Sequence, residues 1–500
     1  MRARLEGIDL LRSFLIRFVS VVILAHFGCM TGFARTDRLG RSDFANSCNS
    51  AVQSKFEEAV LLLHSMEFQQ AESDFEQVEA NDPRCIIAAW GLALAETERS
   101  GANAPQKTLQ GGWNQLQPWL SRSGGSERER MYLDAVRAMY EGYQNTPGTV
   151  RWDRYLAAMD AIRKKYPGDV NASLFYALGL VWTAGPGEEG LAQRRKALDI
   201  LLPIFKEHPD NPGAAHYIIH AADTPELAAI ALPAAHRYAA IAPDSPHALH
   251  TPSHIFNRVG DWPDSIRANL ASARVAAEWI KEGRGGMGDE QHALNNLEYA
   301  YLQLGDTKAA RSIIDRIDAF AKMPGGDPWL SIDARIYFDL ETGSWQDALT
   351  LEAPAGSPFD ENFDVYWVHA IADARLGNPD ARASLEQFRK SSTEWIPRHG
   401  FGDVMHLALA EAEAWTLYAE GQRDRAVREL TDAAAFEKDH PIYYADALPR
   451  PASEMLGDML LQMGKGQEAC AAFHASLKLA PNTFDAVQGL RTCMKHSSTQ

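Results

Sequence analysis

Two pairs of histidines repeat one spacing. His216 and His220 are four residues apart, and so are His250 and His254. On an α-helix a four-residue step returns to the same face. Two imidazoles placed in this way can chelate one metal ion, and histidine is the commonest transition-metal ligand. The pairs stand 34 residues apart, and each follows a proline, Pro212 or Pro246, by four positions. His247 and His292 lie nearby, and seven of the 16 histidines fall between 208 and 254. Four or five imidazoles with a carboxylate such as Asp223 suit zinc, copper or iron. No cysteine is close in sequence, so thiolate chemistry is not indicated. Tyr217-Ile218-Ile219 and Thr251-Pro252-Ser253 separate the paired histidines. Neither supplies the glutamate of a His-Glu-x-x-His peptidase. Pro252 sits inside a helical pattern, where proline costs roughly 3 kcal/mol unless the helix kinks.

The elements that position these residues are helices. Segments 52–83 and 450–481 share a small residue, an aromatic and a proline at fixed offsets: Ala71, Phe75, Pro83 and Ala469, Phe473, Pro481. Apolar residues recur at three and four, so both read as pairs of amphipathic helices. Asn211-Pro212, Thr224-Pro225 and Ser245-Pro246 are N-cap and first-turn signals. Segment 281–290 is glycine-rich and lengthens one repeat directly before His292. It reads as a surface insertion or as a flap beside the site.

This pattern resembles the tetratricopeptide repeat of 34 residues. The chain is similar to a large group of uncharacterised bacterial proteins built from it. The resemblance is carried by the phrases Leu61-Leu62-Leu63-His64-Ser65, Ala89-Trp90-Gly91-Leu92-Ala93, His216-Tyr217-Ile218-Ile219-His220, Pro246-His247-Ala248-Leu249-His250-Thr251-Pro252-Ser253-His254 and Tyr299-Ala300-Tyr301-Leu302-Gln303. It implies an all-α solenoid, a right-handed superhelix of roughly eight to ten helix pairs. Residues 50–100 are expected to hold N-terminal repeats, 101–205 an irregular helical region, 206–320 the central repeats and 327–495 C-terminal repeats. In the family, positions 2, 5, 9 and 12 of each first helix line the concave groove. That register implies that His216, His220, His247, His250, His254, His292 and Asp223 face one concavity. Asn295, Tyr299 and Glu411 take groove positions in later units, with plain packing as the alternative at each.

Composition bounds the remaining choices. A net charge of −17 argues against nucleic-acid binding, which needs a basic surface. No Walker loop, dinucleotide fingerprint or serine-nucleophile elbow is present. Arg2, Arg4, Arg12 and Arg17 precede an apolar run from Phe18 to about Met30, and Gly32 and Ala34 follow. Residues 1–34 therefore read as a cleaved signal peptide, with an uncleaved membrane anchor as the alternative. The exported protein is expected in the periplasm or outside the cell, with no further membrane span. Export permits Cys48–Cys85 and Cys470–Cys493 disulfides, and buried thiols are the alternative. Two functions follow from different features. The repeat array suits a scaffold for a peptide or protein partner, its histidine-lined groove taking a metal or a small molecule with or without metal. The same histidines would also suit a metal-dependent hydrolase or oxidase.

Overall fold

The structure is a computed structural model that describes residues 38–98, 104–324, 326–399, 402–445 and 447–497. The signal-peptide segment at 1–34 lies outside the described residues. Those described form an all-α array in which each helix packs against its neighbours in the chain. Gln53–His64 pairs with Phe68–Asn81, Pro212–Ala221 with Ala228–Ile241, Trp262–Glu282 with Met287–Gln303, and Ala452–Gln462 with Gly466–Leu479. Residues 104–207 are helical too, running from Gln106–Leu120 to Gly187–Glu207. Among the described residues no helix is long and apolar enough to cross a membrane.

The repeated small and aromatic residues explain the close crossings. Phe75 is fully buried, and its ring lies where a Cβ on Gly91 would be, 2.2 Å from the nearest ring atom. Phe473 fills the same role against Gly457 at 2.6 Å. The ring of one helix thus takes the space that a missing side chain leaves on the next. Cys48–Cys85 and Cys470–Cys493 are joined as disulfides near the two ends of the array.

The array curls until distant parts meet over the central repeats. Residues 38–44 run along one side. Arg38 pairs with Asp244, the Arg41 N–H donates to the Asp210 carbonyl at 2.9 Å, and the Ser42 hydroxyl donates to Asn171 at 2.9 Å. The C-terminal part closes the other side. Trp262 Nε1 donates to the Asn482 carbonyl at 2.8 Å, and Arg258 donates to the Ile442 carbonyl at 2.7 Å. Gly260 ends the Pro252–Val259 helix at φ 70°, and a Cβ there would lie 2.2 Å from the Pro481 carbonyl oxygen. Glycine is needed there both for the left-handed turn and for the contact. The central repeats are therefore enclosed on two sides.

Candidate metal centre

The two histidine pairs sit on similarly built helix starts. Asn211 caps Pro212–Ala221 by accepting from the Ala214 N–H, and Ser245 caps Pro246–His250 by accepting from the Ala248 N–H. Proline at the first position costs nothing, because that N–H has no helical partner. The second helix stops at His250 and resumes as Pro252–Val259. Pro252 has no N–H for the carbonyl four residues back, so the helix breaks there. His292 comes from the Met287–Gln303 helix.

Six imidazoles converge. The ligand nitrogens of His216, His220 and His247 lie within 4.8 Å of one another, and so do those of His250, His254 and His292. The two triads adjoin: the rings of His220 and His254 are 6.0 Å apart, those of His247 and His250 6.1 Å. Within the triads, His216 Nε2 stands 2.9 Å from His220 Nε2, and His250 Nε2 stands 3.1 Å from His254 Nε2. His247 Nε2 is buried with no hydrogen-bond partner.

Three of these rings are oriented from behind. His216 Nδ1 faces the His64 carbonyl at 2.7 Å. His250 Nδ1 faces Asn269 Oδ1 at 2.6 Å, and the Asn269 amide group donates to the Ser265 carbonyl, which fixes its oxygen toward the histidine. His254 Nδ1 faces the Asp223 carboxylate at 3.0 Å. All three partners accept, so each Nδ1 carries a proton, and the neutral rings of His216 and His250 present a lone pair at Nε2. Acceptors behind the ring are the usual way in which ligating histidines are oriented and made more basic. His64, which holds His216, is itself pinned by Tyr217 and Asn171 at 2.9 and 2.8 Å. A Cβ on Gly213 would lie 2.5 Å from His64 Nδ1, so only glycine admits that ring.

Burial keeps four of the imidazoles neutral. It pushes His216, His247 and His250 well below the ordinary histidine value, and the neighbouring imidazoles add to the effect. His220 is pushed down to about 3, again by burial first. Burial pushes the Asp223 carboxyl up. The Arg258 guanidinium at 2.7 Å and the His254 hydrogen bond outweigh that and hold it far below the usual carboxylate range. Asp223 is thus an anion beside the ligands, joined to Arg258 on one oxygen and to His254 on the other.

The structure thus brings His216, His220, His247, His250, His254 and His292 together, with Asp223 behind His254. The other groove candidates lie elsewhere. Asn295 lines a separate cavity. Tyr299 is buried and packs edge-on against Trp262 with ring centroids 5.8 Å apart. Glu411 is fully buried in the Gly402–Ala419 helix, near Glu437 and Arg450. Sequence reasoning passed over three residues at the centre. Arg258 lies four residues after His254, a spacing that could have revealed it. Asn269 lies on the next helix. Tyr443 stacks on His254 at 4.6 Å from the far side of the chain, and no local signal announces it.

Both oxygens of Glu411 lack a hydrogen-bond partner. Burial first, and then Glu437, pushes its carboxyl well above the ordinary value. At neutral pH the unfolded chain ionises this group while the folded chain resists. Stability is therefore full below the unfolded value near 4.5 and falls as pH rises toward the folded one. Glu411→Gln is expected to raise the thermal midpoint at pH 8 and to leave it nearly unchanged at pH 4. The gain is about 1.4 kcal/mol for each pH unit over which the folded chain keeps a proton that the unfolded chain has released. Thermal melts at both pH values check this, and equal shifts would refute it.

No family model matches the chain, and no curated protein matches it. Several solved structures are similar in outline. The hetero-tetramer Cut9–Hcn1 of the APC/C is 10% identical, with a TM-score of 0.33 over 89% of this chain and 90% of that one. The tetratricopeptide-repeat domain of P58(IPK) is 12% identical, with a TM-score of 0.21 over 90% and 99%. A tetratricopeptide-repeat protein from Parabacteroides merdae is 10% identical, with a TM-score of 0.26 over 73% and 99%. These overlaps are loose, and none bears on the histidines.

Proposed function

We propose that this chain is a helical-repeat metalloprotein whose histidine cluster holds transition-metal ions. The observation that carries the reading is the pair His250 and His254. Both commit the Nδ1 proton to an acceptor, yet their Nε2 atoms are 3.1 Å apart. Two lone pairs at that distance repel unless a proton or a cation lies between them. Burial works against the proton on His250, which leaves a proton on His254 Nε2, beside the Asp223 carboxylate, as the alternative to a metal ion. A metal ion takes both lone pairs, at about 2.0–2.1 Å from each nitrogen. The His216–His220 contact has a similar span, and there a His220 N–H is the corresponding alternative. An all-imidazole set without thiolate suits zinc, copper or iron.

Two triads provide for two ions. Three protein ligands per ion leave a position for water or a substrate, which is the pattern of catalytic rather than structural sites. Hydrolysis or oxidation at that position is therefore the enzymatic form of this reading. Stacked helix pairs also present extended surfaces, so a scaffold role toward a protein or peptide partner is compatible with it. That role would survive loss of the histidines. The two disulfides support export to an oxidising compartment, periplasmic or extracellular.

The test is elemental analysis of the full chain, purified without a histidine tag, beside His250→Ala/His254→Ala. Near-stoichiometric metal is expected in the parent and a marked loss in a variant that keeps its helical circular dichroism. A parent that stays metal-free after incubation with zinc, copper and iron would overturn the proposal.

A further inference from the structure

A cavity of about 500 Å³ opens beside the histidine cluster, large enough for a small organic molecule. Tyr337, Phe363, Trp367, Phe388, Trp395 and Tyr443 form its walls. Tyr443 is also the ring that stacks on His254, so the cavity and the centre share a wall.

The charged groups of this lining are all of one sign. Glu298, Asp333 and Asp364 line the cavity, and no described lining residue is a lysine or arginine. Glu298 is 2% exposed, and its Oε1 has no hydrogen-bond partner. It feels Arg311 and Arg335 from outside the cavity. Asp333 and Asp364 feel only carboxylates: Asp327 acts on Asp333, and Asp333 acts on Asp364. Among the described residues neither makes an ion pair. The indole N–H of Trp367, 3% exposed, is unpartnered as well.

A desolvated carboxylate without a counter-charge is costly, and burial accordingly pushes Asp333 up to about 7. Asp333 and Asp364 are half-buried and share the lining of the cavity with the six aromatic rings. An incoming cation offsets the cost twice, by ion pairing with the carboxylates and by attraction to the faces of the rings. An anion would meet repulsion, and a neutral apolar molecule would leave the carboxylates uncompensated.

We infer that this cavity binds an organic cation, a primary amine or related ammonium carried on an aromatic or aliphatic body, with Asp333 and Asp364 receiving the charge. The site does not depend on metal in the histidine cluster.

Three matched probes test this by calorimetry on the full chain: 2-phenylethylamine, 2-phenylethanol and phenylacetate. Each is titrated into metal-loaded and into chelator-treated protein. The amine is expected to bind at least tenfold tighter than the alcohol in both forms, and phenylacetate weakest. Asp333→Asn/Asp364→Asn should abolish the preference for the amine while leaving the alcohol's affinity unchanged. Selectivity in the parent is read without any variant, so a misfolded variant would not shield the inference. Equal binding of amine and alcohol, no binding of any probe, or a folded variant that keeps the preference would overturn it. Absence of bound metal would leave the outcome in chelated protein intact, so the two proposals fail separately.

Discussion

Replacing Asp223 by alanine is expected to destabilise the protein by about 3–5 kcal/mol and to weaken metal retention roughly 10–100-fold. The first effect comes from Arg258. Its side chain is only 6% exposed, and the Asp223 carboxylate is its partner at 2.7 Å. Removing the carboxylate leaves a buried guanidinium with two backbone carbonyls, those of Ile442 and Asp223, as its remaining acceptors. The second effect comes from His254, which loses the acceptor that fixes its Nδ1 proton and aims Nε2 at the cluster. Two further variants separate these causes. Asp223→Asn keeps an acceptor for His254 but no charge for Arg258. It should lose stability while holding metal better than the alanine variant. Asp223→Leu/Arg258→Met removes both charges, and should regain stability without regaining affinity. Denaturant midpoints and competition against a chelator measure the two quantities. An alanine variant equal to the parent in both would show that Asp223 neither anchors Arg258 nor orients the histidine.

The part of this centre that was legible in the sequence is the part set by local periodicity. A four-residue step fixes two imidazoles on one helix face whatever the rest of the chain does. Two proline-started helices one repeat apart then place the pairs side by side. His247 and His292 followed from the same repeat register. The residues that were not legible arrive from outside that register. Asn269 stands behind His250 because the Trp262–Glu282 helix packs there. Tyr443 reaches His254 because the array curls back on itself, a closure set by the accumulated angles of many helix crossings. The same closure explains Tyr299, whereas Glu411 is buried among the segments that follow it, beside Glu437 and Arg450. Position in a repeat predicts which face of a helix a residue occupies, but not whether that face meets solvent. Here the returning C-terminal part covers what an open solenoid would expose. Trp262, packed against Tyr299, donates to Asn482, and the faces read as groove at Tyr299 and Glu411 are interior.

Stripping metal from the protein is expected to lower its thermal midpoint by several degrees, and zinc should restore it. An ion that binds only the folded chain stabilises it by about 4 kcal/mol when present at a thousand times its dissociation constant. Without the ion, the facing Nε2 atoms of His250 and His254 and the unpartnered Nε2 of His247 leave the helices around them held less firmly. The dependence on pH distinguishes this site from a surface cluster. Exposed histidines protonate near 6.5, so a surface site loses metal as pH falls through that value. Here burial depresses the folded-state values of His216, His220, His247 and His250, with His220 at about 3, so protons do not compete for these four until the medium is more acid. The difference in midpoint between loaded and stripped protein should therefore stay level from pH 8 to about pH 6. The unfolded chain is the common end state of both forms, so its protonation lowers both midpoints together and leaves their difference unchanged. Its imidazoles take up protons below about 6.5 that the buried ones refuse, so these histidines contribute progressively less stability as pH drops. Melting curves with and without chelator across this range test both statements. A midpoint that ignores the chelator would mean that the lone pairs are satisfied by something other than metal. A difference that collapses near pH 6.5 would mean that the ion sits on solvent-exposed imidazoles and not in the enclosed cluster.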